Sequence, residues 1–433
     1  MGRRPAFTRL QVGMNGRSEG RLTQAGAELE FVYDERWVAA KEATPISLSL
    51  PLRQAPHRGA KVAAFFDNLL PDNEVIRRRI AERFALERPR TLDILSAVGR
   101  DCVGAIQFLP EGETFLHFAR RPGAQLLKES QIADLLRNLT SVPLGLGKKD
   151  GDFRISIAGA QEKTGLLQKK GRWYLPLGPT PTTHILKPPL GDLGNGIDLT
   201  ESVENEWLCL KLAGFLGLPV AEASIVRFKE QKALSVARFD RKKKGAGWLR
   251  IPQEDLCQAL AVPWTRKYQA EGGPGIREIM TFLHSSDSPA EDRDQFMRSC
   301  LVFFLLAAID GHAKNFSIRI TRGGFRLTPL YDVMSAYPAM GKKGLHHRKT
   351  KLAMSVGKAN HYGLAEIRFR HWEQTARACG YPLRSLKATI ESLAASVVGI
   401  DVFCKQVRGQ VPDRLLESVV KGVQEQARRL VEF

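Results

Sequence analysis

The chain has 433 residues, of which 43% are hydrophobic and 26% charged, so a sizeable folded core is expected and disorder throughout the chain is excluded. Its 65 Lys and Arg against 46 Asp and Glu give a formal charge of +19, which favours anionic partners such as nucleic acid, nucleotide phosphates or an acidic protein surface. The longest apolar run, Cys300 to Ile309, is ten residues long, whereas a membrane-spanning helix needs about 20. We therefore expect a cytoplasmic protein with no membrane partner and with reduced cysteines.

Residues 1–110 are predicted to form a small α/β subdomain. Asn15-Gly16 lies between two short alternating runs, a pattern typical of a β-hairpin. The next predicted elements are a strand at Ser47 to Leu52, a helix at Glu74 to Phe84, strand and turn structure at Val98 to Leu109, a helix at Gln131 to Leu139 and a linker near Gly145 to Asp152.

Residues 111–250 are predicted to complete a β-rich lobe that binds a nucleotide. One amphipathic helix, Ser202 to Leu216, interrupts its strands. The predicted strands are Arg154 to Ile157, Thr164 to Leu167, Arg172 to Leu175, His184 to Leu186, Ser224 to Phe228 and Ala233 to Ala237.

Residues 251–433 are predicted to form a helical lobe. Its last helix has one apolar face, made of Leu415, Leu416, Val419, Val420, Val423, Ala427 and Leu430. The order of elements therefore indicates a β-rich lobe followed by a helical one.

The segment from Cys300 to Asp332 has the pattern of a phosphate-chemistry site. A buried helix is expected to end at Asp310, and Asn315 follows five residues later, the spacing that places a base and a magnesium ligand in one loop of protein kinases. A predicted hairpin then brings Asp332 to the same end. Mg²⁺ prefers oxygen ligands, so Asn315 and Asp332 suit it. His312 either orients Asp310 or is a packed histidine, and an aspartate after a helix can also be a simple turn residue.

Such a site also needs a lysine on a strand and a loop that offers backbone N–H groups to phosphates. Lys187 ends a predicted strand before two prolines, and the small residues from Ser156 to Thr164 form the candidate loop. The loop lacks the glycines of a P-loop, and both features also fit an edge lysine and a plain hairpin. Glu206 could pair with Lys187, with Glu204 as the competing choice. The strand that leads into Arg238 could supply main-chain groups to an adenine.

Several long strings, in order along the chain, resemble the HipA serine/threonine kinases of bacterial toxin–antitoxin modules. These strings are Phe65 to Asp72 (FFDNLLPD), Gly99 to Ala105 (GRDCVGA), Asp152 to Thr164 (DFRISIAGAQEKT), Pro181 to Lys187 (PTTHILK), Arg238 to Arg241 (RFDR), Pro252 to Gln258 (PQEDLCQ), Gly272 to Ile276 (GGPGI), Asp310 to Ser317 (DGHAKNFS) and Leu327 to Pro338 (LTPLYDVMSAYP).

The resemblance implies an α+β, two-lobed, atypical protein-kinase-like fold with a β-rich N-terminal lobe and an all-helical C-terminal lobe. It implies ATP and Mg²⁺ as cofactors, Asp310 as catalytic base with His312 beside it, and Asn315 and Asp332 as magnesium ligands. The implied nucleotide-binding residues are Ala158, Gly159, Ala160, Gln161, Glu162, Lys163 and Lys187, with the hinge at Val236, Ala237, Arg238, Phe239 and Asp240. Ser156 matches the serine whose autophosphorylation switches such kinases off; a phosphate there would repel ATP.

The family further implies glutamyl-tRNA synthetase, with tRNA, as substrate, a HipB-like helix-turn-helix antitoxin as partner, and operator DNA bound through the antitoxin complex. Ala237 replaces the glutamate usual at the hinge, and the stretch Gly341 to Lys351 is unusually basic. Two other interpretations stay open: a catalytically weak corepressor, and a kinase of a small molecule or lipid.

Overall fold

The computed structural model describes residues 9–115, 123–139, 159, 161–192, 197–341 and 345–431. Its contacts divide the chain into two units, the first made of Met1–Pro188, Val226–Thr265 and Ser317–Phe325, and the second of Pro189–Ile225, Arg266–Phe316 and Arg326–Phe433. The units alternate along the chain and are not contiguous segments, and the predicted boundaries at 110 and 250 stay a prediction. The expected linker at Gly145 to Asp152 and strand at Arg154 to Ile157 lie outside the described residues.

The first unit begins with an antiparallel sheet of order β3-β2-β1-β4. Its strands are β1 (Arg9–Met14), β2 (Arg17–Ala25), β3 (Glu28–Tyr33) and β4 (Ile106–Leu109). The predicted hairpin is confirmed: Asn15 and Gly16 have φ of 52° and 92°, as a tight turn between twisted strands requires. The predicted strand at Ser47 to Leu52 is wrong, because Ser47 and Leu50 instead form an isolated bridge across a turn.

Four helices pack on this sheet. They are α1 (Glu35–Val38), α2 (Ala60–Asp67), α3 (Glu74–Arg83) and α4 (Thr91–Val98). Phe66 of α2 contacts Phe31, Phe65 and Phe108 with ring centroids 5.0 to 5.8 Å apart. These four rings are buried, so burial of their large apolar surface joins the helices to the sheet.

The second sheet of this unit has six strands in the order β11-β12-β8-β6-β7-β5. The strands are β5 (Ala124–Leu126), β6 (Thr164–Lys169), β7 (Arg172–Pro176), β8 (His184–Lys187), β11 (Ala223–Phe228) and β12 (Gln231–Ala237). Helix α5 (Glu129–Arg137) covers it through Ile132, Leu135 and Leu136. Because β8 lies between β12 and β6, Lys187 ends an interior strand, which contradicts the edge-lysine interpretation.

Shorter elements complete the first unit. They are the hairpin β13 (Arg241–Lys244) and β14 (Gly247–Arg250), the strand β15 (Gln253–Asp255), helix α7 (Leu256–Ala259), the 3-10 helix Trp264–Arg266 and the strand β16 (Ser317–Ile320). The three-stranded sheet has the order β15-β16-β17, where β17 is Phe325–Leu327.

Glu254 of β15 is a buried acid in this unit, with 0% of its surface exposed. Its Oε1 accepts a hydrogen bond from the backbone N–H of Leu48 at 2.8 Å, and its Oε2 has no partner among the described residues. Burial raises the pKa of Glu254 to about 8, because a carboxylate loses its hydration there. The side chain is therefore protonated in the folded protein at neutral pH.

Replacing Glu254 with glutamine is expected to flatten the pH dependence of stability. An unfolded glutamate ionises near pH 4.5 while the folded one holds its proton until about pH 8, so wild-type stability falls as pH rises through this window, by about 1.4 kcal/mol per pH unit. Glutamine keeps the acceptor for Leu48 and does not titrate. Urea unfolding at pH 5 and pH 8 checks this, and equal slopes in both proteins would contradict it.

The second unit is mainly helical. Its helices are α6 (Ser202–Phe215), α8 (Ile276–Phe282), α9 (Pro289–Leu306), α10 (Phe369–Ala378), α11 (Leu383–Val398), α12 (Ile400–Val407) and α13 (Asp413–Val431), with 3-10 helices at Gln269–Glu271, Leu283–Ser285, Ala313–Asn315, Tyr337–Ala339 and His347–Lys349. The predicted apolar face of α13 is buried except for Val420. In the part of the chain that the structure describes, no helix is long and apolar enough to span a bilayer.

The prediction of an all-helical C-terminal lobe is wrong. Residues 251–433 contain a pair of strands, β18 (Lys351–Val356) and β19 (His361–Gly363), as well as the sheet β15-β16-β17. The second unit has a further short pair, β9 (Gly191–Asp192) and β10 (Asp198–Leu199). Gly357 and Asn360 between β18 and β19 have φ of 81° and 53°, a backbone that reverses the chain where a helix would continue it. None of the six cysteines forms a disulfide, and all except the partly exposed Cys404 are buried.

Candidate functional site

In the second unit, helix α9 leads into the loop that contains Asp310. The helix ends at Leu306, four residues earlier than predicted, because Ala307 adopts a left-handed conformation with φ of 48° as its C-cap. Gly311 follows Asp310 at a close approach: a Cβ there would lie 2.0 Å from the ring of Phe303 on α9. The loop therefore packs directly on the buried helix, and the Asp310 side chain, 63% exposed, extends from it.

Asn315 and Asp332 lie next to each other in this unit. Asn315, at the end of a 3-10 helix, donates from Nδ2 to the backbone carbonyl of Asp332 at 3.4 Å. The Tyr331 hydroxyl donates to the carbonyl of Lys314 at 3.0 Å, which ties the two segments a second time. Asp332 has a φ of 58°, a strained conformation for a residue with a side chain and one that clusters at functional sites.

Asn205 of α6 anchors the segment that follows Asp332. Its Oδ1 accepts from the backbone N–H of Ser335 at 2.9 Å, and its Nδ2 donates to the carbonyl of the same residue at 2.8 Å. Both residues are buried. A paired amide bridge of this kind fixes backbone position, so α6 holds the chain just beyond Asp332 in one place.

The site residues fit a magnesium ion. The Oδ1 of Asn315 is buried and has no hydrogen-bond partner among the described residues. A buried acceptor without a partner costs free energy unless a bound group interacts with it. A hard cation bound by this oxygen and the Asp332 carboxylate would satisfy it, with waters and phosphate oxygens as the other ligands. The prediction of these two residues as metal ligands stays a prediction, which the orphaned oxygen supports.

His312 is buried between Asp310 and Asn315. Its Nε2 lies 3.7 Å from the Asp310 carboxylate, beyond hydrogen-bond range, and its ring packs against the edge of Tyr268 with centroids 4.8 Å apart. Burial lowers the pKa of His312, with Lys267 acting in the same direction and Asp310 and Asp332 opposing it. The imidazole is therefore uncharged at neutral pH, which favours the packed histidine over a charged partner for Asp310.

In the first unit, the candidate loop contacts the chain just beyond the end of β8 through Gln161. Lys187 is buried, with 7% exposed, and Gln161 donates from Nε2 to the carbonyl of the next residue, Pro188, at 3.0 Å. Glu162 accepts from Arg79 of α3 at 2.9 Å. Gly159 accepts from the backbone N–H of Asp72 at 3.1 Å. The string Phe65 to Asp72 thus contacts the candidate loop, and Lys163 is partly buried within it. Ser156, Ala158 and Ala160 lie outside the described residues.

The candidate hinge continues β12. Val236 and Ala237 pair with Ile185 and His184 of β8, and the N–H of Arg238 donates to the carbonyl of Thr183 at 2.8 Å. Phe239 is partly buried. The N–H of Arg238 is therefore engaged within the sheet, and a nucleotide contact by this segment stays a prediction.

The side chains of Arg238 and Asp240 belong to a buried network of charges that sequence reasoning missed. Arg238 donates to Asp240 at 2.7 Å and to the carbonyl of Cys102 at 2.8 Å. Asp101 accepts from Arg241 at 3.0 Å and from Arg250 at 2.9 Å. These partners are far apart in the sequence, so no spacing predicts the network. The strings GRDCVGA and RFDR, which carry the family resemblance, contain some of its residues. The network joins the hinge to the N-terminal subdomain.

Tyr268 was also missed. Its hydroxyl donates to Oδ1 of Asp310, although 42 residues separate the two. No spacing rule connects them, and the only hint is that Tyr268 lies just before the string at Gly272 to Ile276.

Comparison with known proteins gives consistent matches. Residues 10–109 match the family described as the HipA N-terminal domain, and residues 155–399, more than half of the chain, match the HipA-like C-terminal domain. The chain is 34% identical over 394 residues to the Sinorhizobium fredii protein Y4mE, whose name gives it as a candidate kinase, with 89% of each protein covered. It is 29% identical over 317 residues to the serine/threonine-protein kinase toxin HipA of Shewanella oneidensis, covering 70% of this chain and 69% of that one.

Among solved structures, the Shewanella oneidensis complex of the toxin–antitoxin system HipA, HipB and its operator DNA contains a chain of similar fold. The TM-score is 0.80 and the identity 22%, with 98% of both chains covered, so this likeness supports the α+β, kinase-like fold alone. The two domain matches and the relative at 34% identity show the family as well as the fold. The chain belongs to the HipA family.

Proposed function

We propose that this chain is an ATP- and Mg²⁺-dependent serine/threonine protein kinase that acts as the toxin of a toxin–antitoxin module. One observation supports this above the others: an exposed carboxylate, Asp310, shares a loop with Asn315, whose buried amide oxygen has no partner among the described residues and which bonds the backbone of Asp332. A base and two oxygen ligands in this order are the parts that phosphoryl transfer needs.

In the proposed reaction, Asp310 accepts the proton of a serine or threonine hydroxyl. The hydroxyl oxygen forms a bond to the γ-phosphorus of ATP, and the bond from that phosphorus to the β–γ bridging oxygen breaks, leaving ADP. Magnesium held by Asn315 and Asp332 would neutralise phosphate charge. The exposure of Asp310 lets a protein hydroxyl reach it, as general-base catalysis requires.

The proposed nucleotide-binding residues lie in the first unit. Lys187 would contribute an ammonium group to the phosphates, and the hinge its main-chain groups to the adenine, since Arg238 and Asp240 already have protein partners for their side chains. The loop would contribute Ala158, Gly159, Ala160, Gln161, Glu162 and Lys163. The interior position of β8 supports this role, because it puts Lys187 at the end of a central strand, next to the residue that Gln161 of the candidate loop contacts.

The finer parts of the proposal follow the family resemblance. They are glutamyl-tRNA synthetase as substrate, autophosphorylation of Ser156 as an off switch, and repression of the operon together with a HipB-like antitoxin on operator DNA. The charge of +19 is compatible with both DNA-bound and tRNA-bound settings. The named Shewanella relatives support a toxin and a complex of this type, and the proposed location is the cytoplasm.

Intact-mass measurement after incubation with Mg²⁺-ATP tests the proposal. The dephosphorylated wild-type protein is expected to gain one phosphate, and the Ser156→Ala variant none, while both bind ATP before reaction. Ser396→Ala, which removes another serine hydroxyl from a partly exposed position on α11, is the matched control and is expected to gain the phosphate. A wild-type protein that binds ATP and stays unmodified would argue for the corepressor instead.

A further inference from the structure

Tyr268 contacts the carboxylate that the proposed reaction uses as its base. The tyrosine hydroxyl donates a hydrogen bond to Oδ1 of Asp310. The other close group, Nε2 of His312, lies 3.7 Å from the same oxygen. Both contacts are on Oδ1, and within the described residues none is made to Oδ2. One oxygen of the carboxylate is thus held, on a side chain that is 63% exposed.

The backbone around Tyr268 is fixed by hydrogen bonds. The carbonyl of Tyr268 accepts from the N–H groups of Glu271 at 3.0 Å and Gly273 at 2.9 Å. The next residue, Gln269, accepts at Oε1 from the N–H of Ser355 on β18 at 2.7 Å. These bonds anchor the loop at both its own turn and a neighbouring strand, so the hydroxyl is presented from a rigid support.

The aromatic ring is fixed as well. It meets the His312 ring edge-on, at 80° with centroids 4.8 Å apart, and the Lys267 ammonium lies 5.6 Å from its centre. His312 is buried, so this contact orders the ring from the protein side. The hydroxyl, at the far end of the ring, makes the hydrogen bond to Asp310.

We propose that Tyr268 is a positioning residue that orients the Asp310 carboxylate so that Oδ2 faces the substrate hydroxyl. This inference rests on the proposed function. A side chain that is 63% exposed samples several rotamers unless something holds it, and a base works only at a defined distance from the proton it takes. The hydrogen bond from Tyr268 supplies that restraint, where His312 is too distant to do so.

The test is steady-state kinetics of the Tyr268→Phe variant with a protein substrate. Phenylalanine keeps the ring packing on His312 and removes only the hydroxyl. The expected result is a kcat lower by about ten- to a hundredfold, on the scale of a misplaced reacting group, with the KM for ATP and the thermal midpoint unchanged. Tyr362→Phe, which removes a hydroxyl from β19 of the same unit, is the matched control and should retain wild-type kinetics.

Three outcomes would overturn the inference. If Tyr268→Phe has wild-type kcat while Tyr268→Leu loses activity, the residue acts by packing alone. A faster Tyr268→Phe would mean that the hydroxyl blocks the base. A fall in kcat together with a higher KM for ATP and a lower thermal midpoint would mean a general structural role. The proposed function has a separate test: an Asp310→Asn variant that is as active as the wild type would contradict it.

Discussion

Replacing Asp310 with asparagine is expected to lower the rate of phosphate transfer by about a hundred- to ten-thousandfold, the usual contribution of a general base. Asparagine has nearly the same shape and can still accept the bond from Tyr268, but its amide takes no proton. Because the side chain is 63% exposed, the substitution removes little packing, and stability should be unaffected. Radiolabel transfer from ATP to a protein substrate measures the effect.

Two controls make the Asp310 result interpretable. Nucleotide affinity, measured by titration with a fluorescent ATP analogue, is expected to stay at the wild-type value, since Lys187 and the hinge remain. Asp401→Asn, an exposed aspartate at the start of α12, should transfer phosphate normally. A variant that is inactive and also fails to bind nucleotide would show that Asp310 acts on binding, against the assignment as base.

The Asp101→Asn variant is expected to unfold about 3 to 5 kcal/mol more easily, the cost of removing one partner from a buried ion network. Asp101 is 1% exposed and accepts from the N–H and hydroxyl of Thr182 at 2.9 and 2.8 Å as well as from Arg241 and Arg250. Without its charge, Arg238 and Arg241 keep Asp240 as an acidic partner, while Arg250 loses its ion pair with Asp101. Urea unfolding followed by tryptophan fluorescence measures the loss.

The acid side of the stability curve should change in the same variant. Burial alone would raise the pKa of Asp101, but attraction from Arg241, Arg250 and Arg238 lowers it well below the usual value. A carboxyl group whose pKa is lowered by folding stabilises the folded protein at pH values above the usual aspartate pKa, and this stabilisation is lost as pH falls. Asp101→Asn removes this pH dependence. Glu111→Gln, which breaks the exposed pair with Arg9, should cost under about 1 kcal/mol. Equal losses in the two variants would contradict the network's role.

Local patterns predicted much of the fold. The hairpin at Asn15-Gly16, helices α3 and α6, and strands β6 to β8 follow from turn residues and periodicity, which act within a few residues. The strand at Ser47 to Leu52 failed because alternation alone does not create a partner: Leu48 donates to Glu254, a residue about two hundred positions away. A contact of that kind depends on the tertiary fold, which overrides local preference.

Helix ends were harder to predict than helices. Ala307 terminates α9 in a left-handed conformation that usually belongs to glycine or asparagine, so the sequence has no stop signal there. The pair β18 and β19 was missed although Gly357 and Asn360 mark its turn, because the surrounding chain is dominated by helix patterns. In both cases packing decided where a local signal was weak or absent.

The candidate site was predicted in part. The spacing of Asp310 and Asn315, and the position of Asp332 after a hairpin, identified the residues that the structure places in one unit. What orients them was not predictable, because Tyr268 and Asn205 lie 42 and 130 positions from the residues they hold. Residue type and spacing indicate which side chains could do the chemistry, whereas the orientation of those side chains depends on contacts with residues distant in the sequence.

The alternation of the two units along the chain also bears on protein synthesis. Strand β15 pairs with β16 through Gln253 with Arg319 and Asp255 with Ser317, and residues 266–316, which lie between them, belong to the other unit. A ribosome must therefore produce residues 189–225 and 266–316 of the second unit before the first can close this sheet. A chain released before residue 317 leaves β15 with an open edge, the type of surface that invites aggregation and degradation. Such a chain also ends before Asp332, so interrupted translation yields chains without the complete candidate site.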